Sequence, residues 1–265
     1  KLDMHKAYDR VEWSFLKAIL LKLGFKENWV NLIMQCVSSV EYRVRFNNEE
    51  TDSFKPTRGL RQGDPLSPLI FVLAADLLQA AINDAFVRNL ILLPFPSQHQ
   101  HDYPVIQYTD DTILVMPACT QQAKTIKDIL NDYATSIGLK INFHKSTLIT
   151  MNCDLAKTQE IANIFGCVIG KLPFTYLGLP LGTTRPTIVE LMPLVCSMER
   201  RLTASLNMIS YGGKLSLLNS VITSLIIFAL CTLRLPTKII ELLDKIRRKC
   251  LCTKKKLSKV TNATP

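Results

Sequence analysis

The sequence has few of the features that mark disulfide-rich, fibrous or disordered proteins. Its 265 residues include only ten glycines and thirteen prolines, with no internal repeat and no low-complexity segment. Apolar residues make up 48% and charged residues 20%, the balance of an ordinary globular protein. None of the eight cysteines forms a Cys-x-x-Cys pair, and a chain of this length needs no disulfide bonds to be stable. We therefore predict an intracellular globular protein with reduced cysteines.

The sequence also lacks a recognisable leader segment. It opens on Lys1 and enters a strand-like stretch at once, with no signal or transit peptide. We expect a fragment that lacks its upstream part and that acts in the nucleus or cytoplasm rather than being secreted. The pairs His99-x-His101 and Cys250-x-Cys252 each resemble half of a zinc site, but no second half is spaced to complete either one. We therefore expect no zinc.

The longest uncharged run, residues 215–233, is nearly long enough to span a bilayer. Several polar residues in this run fall on one side at helical spacing: Ser216, Asn219, Ser220, Thr223 and Ser224. This spacing predicts an amphipathic, largely buried helix rather than a membrane span, so we expect no membrane partner.

Positive charge is concentrated in the last third of the chain. Residues 1–184 hold 18 Lys and Arg against 18 Asp and Glu, whereas residues 185–265 hold 14 basic and 4 acidic residues. Such a segment is a candidate surface for a polyanion, although a solvated helix face has the same composition.

The hydrophobic pattern changes along the chain. Up to about residue 183, short β-branched strands alternate with helices, which predicts an α+β fold. One of these helices is expected to begin with Ser67 as its N-cap and Pro68 in the first helical position. Residues 184–252 show helical spacing alone, and residues 253–265 are expected to form a disordered tail.

Two neighbouring carboxylates, Asp110 and Asp111, lie between two strand-like runs in "VIQYTDDTILVM", and Asp3 ends another strand. Each of them alone is more often a solvated turn residue. Strands of one antiparallel sheet can bring all three together, and such a cluster repels itself unless a cation neutralises it. Oxygen ligands suit Mg²⁺ or Mn²⁺, and two such ions about 3.5–4 Å apart can activate a hydroxyl and stabilise a leaving pyrophosphate.

Five segments follow one another in a recognisable order: "KLDMHKAYDRVEW", "GLRQGDPLSPLIFVLAADLL", "YTDD", "GLKINFHKS" and "YLGLPLG". Together they resemble the palm motifs of reverse transcriptases from LINE-type (non-long-terminal-repeat) retrotransposons, notably those of plants. The resemblance covers about residues 1–252. It implies a right-hand polymerase palm at 1–183, with an antiparallel sheet, helices behind it and the fingers largely missing. An all-helical, basic thumb would follow at 184–252.

The resemblance implies an RNA-directed DNA polymerase that extends a DNA primer on an RNA template with deoxynucleoside triphosphates. Two Mg²⁺ (or Mn²⁺) ions would be its cofactors. Asp3, Asp110 and Asp111 match the family's metal-binding aspartates, with Asp3 and Asp110 as the main ligands. Thr109 stands where the family usually has alanine.

Further matches concern the incoming nucleotide. Tyr8 matches the bulky residue under the sugar, which excludes a 2′-hydroxyl. Gln62 matches a residue that contacts the nucleotide, while Arg61 and Gly63 let the backbone approach the base pair. The ordinary interpretations are that Tyr8 is a tyrosine of the core and that the "RQGDP" stretch only ends a loop and begins a helix.

Two more matches concern the leaving group and the primer. Lys145 matches a lysine proposed to protonate pyrophosphate, and an exposed strand-end lysine is the ordinary alternative. Tyr176, Leu177 and Gly178 resemble the primer-grip hairpin, and core packing is the alternative there.

Other functions remain possible for the sequence as a whole. One is a catalytically dead nucleic-acid-binding remnant of such an element. Another is an RNA-templated RNA polymerase or a nucleotide cyclase, against which Tyr8, Gln62 and the "TYLG" stretch argue. The oligomeric state is left open.

Overall fold

The computed structural model describes residues 1–95, 102–203 and 210–252. The histidine pair at 99 and 101 and the predicted tail at 253–265 lie outside the described residues. The chain divides into two compact units, Lys1–Gly170 and Lys171–Pro265. This division falls before the change of hydrophobic pattern near residue 183, because a short hairpin precedes the helices of the second unit.

The first unit mixes helices with short strands, which agrees with the predicted α+β class. Its helices are α1 (Ala7–Arg10), α2 (Trp13–Lys22), α3 (Glu27–Ser38), α4 (Ser67–Val87), α5 (Thr120–Ile137) and α6 (Leu155–Phe165). Its strands are β1 (Leu2–Asp3), β2 (Arg45–Phe46), β3 (Glu49–Glu50), β4 (Val105–Tyr108), β5 (Asp111–Leu114), β6 (Thr147–Leu148) and β7 (Val168–Ile169).

The second unit consists of one hairpin followed by helices. Its elements are β8 (Phe174–Tyr176), β9 (Leu179–Leu181), α7 (Ile188–Thr203), α8 (Tyr211–Leu217), α9 (Thr223–Thr232) and α10 (Thr237–Cys252). A π-helical turn, Leu218–Ile222, joins α8 to α9. The predicted helix over residues 215–233 is therefore present but interrupted where the backbone changes to wider hydrogen bonding. The prediction that it is largely buried is wrong, because Leu215, Ile227, Phe228 and Leu230 are exposed.

The largest sheet has the strand order β1-β5-β4 and is antiparallel throughout. β4 and β5 form a hairpin in which Tyr108 pairs with Asp111, so its turn consists of Thr109 and Asp110. Thr109 has a φ of 53° there. On the other side of β5, Asp3 of β1 pairs directly with Asp111. The sheet thus brings the first residues of the chain to the tip of the central hairpin.

Helices α2, α4 and α5 pack together, and their buried residues share one core with β1. Helix α4 is long and apolar enough to cross a membrane by length and composition alone. One side of it lies in this core, where Ile70, Phe71, Ala75, Leu78, Ile82 and Ala85 are buried, whereas Leu69, Val72 and Val87 are exposed. Tyr133 of α5 is buried in the same core and lies near Gln107 of β4, and burial raises the pKa of Tyr133.

The second unit has its own core. Its buried apolar residues come from β9, α7, the π-helical turn, α9, α10 and the connection before α10: Leu179, Leu191, Val195, Met198, Leu218, Ile226, Ala229, Leu235, Ile239, Leu243, Ile246 and Cys250. On α10 the buried positions recur at helical spacing, which leaves the basic residues Lys238, Lys245, Arg248 and Lys249 on the exposed side.

Truncation of α5 tests the first core. Leu130 is fully buried, whereas Leu155 at the start of α6 is 86% exposed. We expect Leu130→Ala to lower the free energy of unfolding by about 2–5 kcal/mol, because it leaves a cavity. We expect Leu155→Ala to change it by less than about 0.5 kcal/mol. Both tryptophans, Trp13 and Trp29, lie in the first unit, so their fluorescence during urea unfolding measures this unit. Equal losses would contradict the assigned core.

Candidate active site

Asp3 and Asp111 lie opposite each other on neighbouring antiparallel strands. The backbone N–H of Asp3 donates to Ser146 Oγ at 3.1 Å, and its carbonyl oxygen accepts from the N–H of Asn142 at 2.9 Å. Both backbone groups of Asp3 therefore point away from β5. Such a pair is the closer of the two antiparallel types, with Cα atoms about 4.5 Å apart and both side chains on one face.

Asp110 occupies the exposed hairpin turn next to this pair. Its Oδ1 accepts a hydrogen bond of 2.9 Å from the hydroxyl of Thr109. Burial and, secondly, the negative charge of Asp110 raise the pKa of Tyr8 above its ordinary value. The ring of Tyr8 stacks on Phe71 of α4, with centroids 4.5 Å apart and planes inclined by 12°. Tyr8 therefore lies close enough to Asp110 for the two groups to interact electrostatically.

Two carboxylates directly opposite each other repel, so this face of the sheet needs a compensating cation. In the structure the ammonium group of Lys1 lies 2.8 Å from Asp111 Oδ1. Within residues 1–95, 102–203 and 210–252, no three His, Cys, Asp or Glu side chains are arranged around a common metal position. The donor chemistry nevertheless suits a hard cation, because Mg²⁺ is commonly held by one or two carboxylates plus substrate phosphates and water.

The loop that precedes α4 is hydrogen-bonded to the segment that carries Tyr8. The N–H of Leu60 donates to the carbonyl oxygen of Tyr8 at 2.7 Å, and the N–H of Gly59 donates to that of Val11 at 2.8 Å. The indole N–H of Trp13 donates to the carbonyl oxygen of Gly59 at 2.8 Å. These bonds hold residues 59–60 directly against the first helical segment.

The predicted nucleotide-binding residues Arg61, Gln62 and Gly63 follow this anchor and are exposed. Gln62 donates to the carboxylate of Asp9, the neighbour of Tyr8, at 3.4 Å. Gly63 has a φ of 86°, a conformation that favours glycine. Because Asp9 adjoins Tyr8 in the chain, this contact places the loop beside the tyrosine.

Asp64, which the sequence analysis did not single out, organises the end of this loop. It pairs with Arg61 and accepts the N–H of Leu66 at 2.8 Å. The bond from Leu66 and then the side chain of Arg61 hold the pKa of Asp64 below its ordinary value. The prediction that Ser67 is the N-cap is wrong, because Leu66 holds that position and Ser67 is already helical and buried.

The remaining predicted residues lie in two other turns. Lys145 is exposed, and its N–H donates to the carbonyl oxygen of Asn142 at 3.1 Å within the turn that is bonded to Asp3. In the second unit, Tyr176 pairs with Leu179 across the β8–β9 hairpin. Leu177 and Gly178 form its two-residue turn with φ of 49° and 80°, as expected for a type I′ hairpin.

Comparison with known proteins identifies the family to which most of the chain belongs. The family model for reverse transcriptase (RNA-dependent DNA polymerase) matches residues 1–181. The chain belongs to the reverse transcriptase family. This family implies a polymerase palm for the matched region and a divalent metal ion for its chemistry.

The similar curated proteins come from retrotransposable elements. The chain is 26% identical over 203 residues to a retrovirus-related Pol polyprotein from the type-1 element R2 of Popillia japonica, covering 72% of the chain and 27% of that protein. It is 25% identical over 257 residues to a 149 kDa protein of transposon TX1 from Xenopus laevis, covering 94% and 19%. It is 27% identical over 148 residues to the R2DM Pol polyprotein of Drosophila melanogaster, covering 54% and 13%.

The chain spans less than a third of the length of each of these relatives. The predicted resemblance to reverse transcriptases of non-long-terminal-repeat retrotransposons is confirmed. Its assignment to plant elements stays a prediction, as do the roles of the individual site residues.

Replacement of Gly59 tests the loop anchor of this reverse transcriptase. A Cβ at Gly59 would lie 2.7 Å from the carbonyl oxygen of Asp9, whereas a Cβ at Gly24 would meet nothing within 4 Å. Both glycines have similar positive φ, 90° and 87°. We expect Gly24→Ala to lower the unfolding free energy by about 1 kcal/mol from backbone strain alone. Gly59→Ala should lose more and also shift the fluorescence of Trp13. Equal losses and an unshifted spectrum would contradict the close approach.

Proposed function

We propose that this chain is the polymerase core of a non-long-terminal-repeat retrotransposon and extends a DNA primer on an RNA template. The observation that carries the proposal is the direct pairing of Asp3 with Asp111, with Asp110 on the adjoining turn. The family match supports the reaction class, and the sheet register supports the residues. Template RNA, primer DNA and deoxynucleoside triphosphates are the partners that this reaction requires, and the reaction would take place inside the cell.

Asp3 and Asp110 would hold two Mg²⁺ (or Mn²⁺) ions, with Asp111 as a weaker ligand or a structural neighbour. Bound ions of this kind activate the primer 3′-hydroxyl and neutralise the leaving pyrophosphate. The protein's own contribution is the placement of these carboxylates on one rigid edge. Asp3 is held there by β5 on one side and by the bonds to Asn142 and Ser146 on the other.

Tyr8 would exclude ribonucleotides by filling the space of the 2′-hydroxyl. Its stacking on Phe71 restricts rotation of the ring. Gln62 would contact the incoming nucleotide from the loop beside Tyr8, with Arg61 and Gly63 shaping its backbone. The bonds at Gly59 and Leu60 keep this loop in place before the nucleotide arrives.

Lys145 would donate a proton to the leaving pyrophosphate or neutralise its charge. The backbone of its turn is bonded to Asp3, which supports a position near the reaction. The hairpin turn at Tyr176, Leu177 and Gly178 would place the primer end. Its type I′ geometry supports a rigid tip, at which Gly178 is exposed.

Residues 184–252 would form a thumb that follows the nucleic-acid backbone, with residues 1–183 as the palm. The exposed lysines and arginine of α10 support this role, because phosphate contacts give binding that is independent of sequence and sensitive to salt. The family match disfavours a nucleotide cyclase, and primer extension separates an active polymerase from a dead remnant.

Primer extension tests the metal-binding aspartates. On poly(rA)·oligo(dT) with Mg²⁺ or Mn²⁺, we expect Asp110→Asn to reduce incorporation about a hundredfold or more, since it removes a metal ligand. The matched control is Asp132→Asn, the same change at an exposed position of α5, which should retain activity. No incorporation by the unmodified chain, either alone or with an intact upstream fingers segment, would contradict the proposal and leave only a nucleic-acid-binding remnant.

Nucleotide selection tests Tyr8. We expect Tyr8→Ala to lower the preference for deoxynucleotides over ribonucleotides, measured as the ratio of kcat/KM values, by about 10- to 100-fold. Tyr8→Phe keeps the ring and its stacking on Phe71, so its preference should remain that of the unmodified chain. A Tyr8→Ala variant that folds and still rejects ribonucleotides would exclude Tyr8 as the selecting residue.

A further inference from the structure

Lys1 provides the cation that the aspartate pair needs. Its ammonium group lies 2.8 Å from Asp111 Oδ1, and the two side chains are 28% and 34% exposed. Lys1 precedes Asp3 by two positions, so the two side chains share a face of the strand. Its carbonyl oxygen accepts the N–H of Thr147 at 2.9 Å, which fixes the backbone from which the ammonium group reaches Asp111.

The position of this ammonium group matters because it contacts Asp111, one of the carboxylates that are assigned to metal. Asp111 is the direct neighbour of Asp3, so a charge on one raises the cost of a charge on the other. A lysine supplied by the neighbouring strand position relieves this repulsion without a bound ion. It also presents a positive charge to any divalent cation that approaches Asp111.

We propose that Lys1 is an internal counter-ion of the aspartate pair, which holds Asp111 in the metal-free protein and competes with a divalent cation for it. The inference rests on the proposed function, because it assumes that the metal binds at Asp3 and Asp110 and, more weakly, at Asp111. Lys1 is then a positioning residue rather than a catalytic one. By engaging Asp111, it leaves Asp3 and Asp110 as the carboxylates open to metal, and it lowers the affinity of the empty site.

Binding of Mn²⁺ to the free chain tests this competition. The probe is Mn²⁺ alone, titrated into the 265-residue chain without primer, template or nucleotide and followed by the electron paramagnetic resonance signal of the free ion. We expect Lys1→Gln to bind Mn²⁺ about three- to fivefold more tightly, the change that corresponds to loss of one partly exposed ion pair. Lys1→Arg keeps the charge and should bind like the unmodified chain. Lys17→Gln removes an equal charge from the exposed face of α2 and should also bind like it.

A double variant shows whether Lys1 acts through Asp111. In the Asp111→Asn background, Lys1→Gln should change Mn²⁺ affinity much less than it does alone, because the competed carboxylate is gone. A purely structural role would not produce this dependence. Without metal, Lys1→Gln should lower the Tm, and Mn²⁺ should restore it. If the variant folds only in Mn²⁺, that rescue supports the proposal, whereas a variant that no Mn²⁺ concentration restores would overturn it.

The two proposals fail in different ways. Equal Mn²⁺ affinities for Lys1→Gln and the unmodified chain, with weaker binding by Asp3→Asn, would overturn the role of Lys1 and leave the metal site intact. Mn²⁺ binding that neither Asp3→Asn nor Asp110→Asn changes would overturn the metal site, and the counter-ion role with it.

Discussion

The antiparallel pairing of β1 with β5 is the constraint on which the site depends. It sets Asp3 opposite Asp111 and keeps Asp110 on the adjoining turn. A shift of one residue in this register would turn Asp3 to the other face of the sheet, because side chains alternate along a strand. The register therefore has to be held firmly, although β1 is only two residues long. The cost of the arrangement is repulsion between like charges, which the ammonium group of Lys1 offsets in this structure.

The first thirteen residues contact both parts of the site, the turn beside the carboxylates and the loop that precedes α4. On one side, Asp3 is bonded to the turn of Asn142 and Ser146, which also carries Lys145. On the other side, the segment from Tyr8 to Trp13 holds the loop before α4 through Gly59 and Leu60. The carboxylates and the loop that would meet the nucleotide are thus attached to one short stretch of chain. A change in that stretch is expected to disturb metal binding and nucleotide selection together.

Several parts of the fold could be predicted because local chemistry decides them. The hairpin that carries Asp110 follows from strand-like runs on either side of a short polar turn, and the α+β class of the first unit follows from strands that alternate with helices. Other details were wrong or missed. Ser67 suits an N-cap by residue type, but the carboxylate of Asp64 takes the N–H of Leu66, and the helix starts one residue earlier. The helix through residues 215–233 contains a π-helical turn that hydrophobic spacing does not reveal.

By itself, the sequence determined the family, the α+β class of its first part and the residue types of the site, because motifs and periodicity are local properties of the chain. Only the tertiary structure decided which of these residues meet. The bond from Asp3 to Ser146 joins positions 143 residues apart, and no spacing rule predicts such a contact. The roles of Lys1, Gly59 and Trp13 likewise appeared only in the folded chain. They depend on strand register and close backbone approach, which arise when the core brings distant segments together.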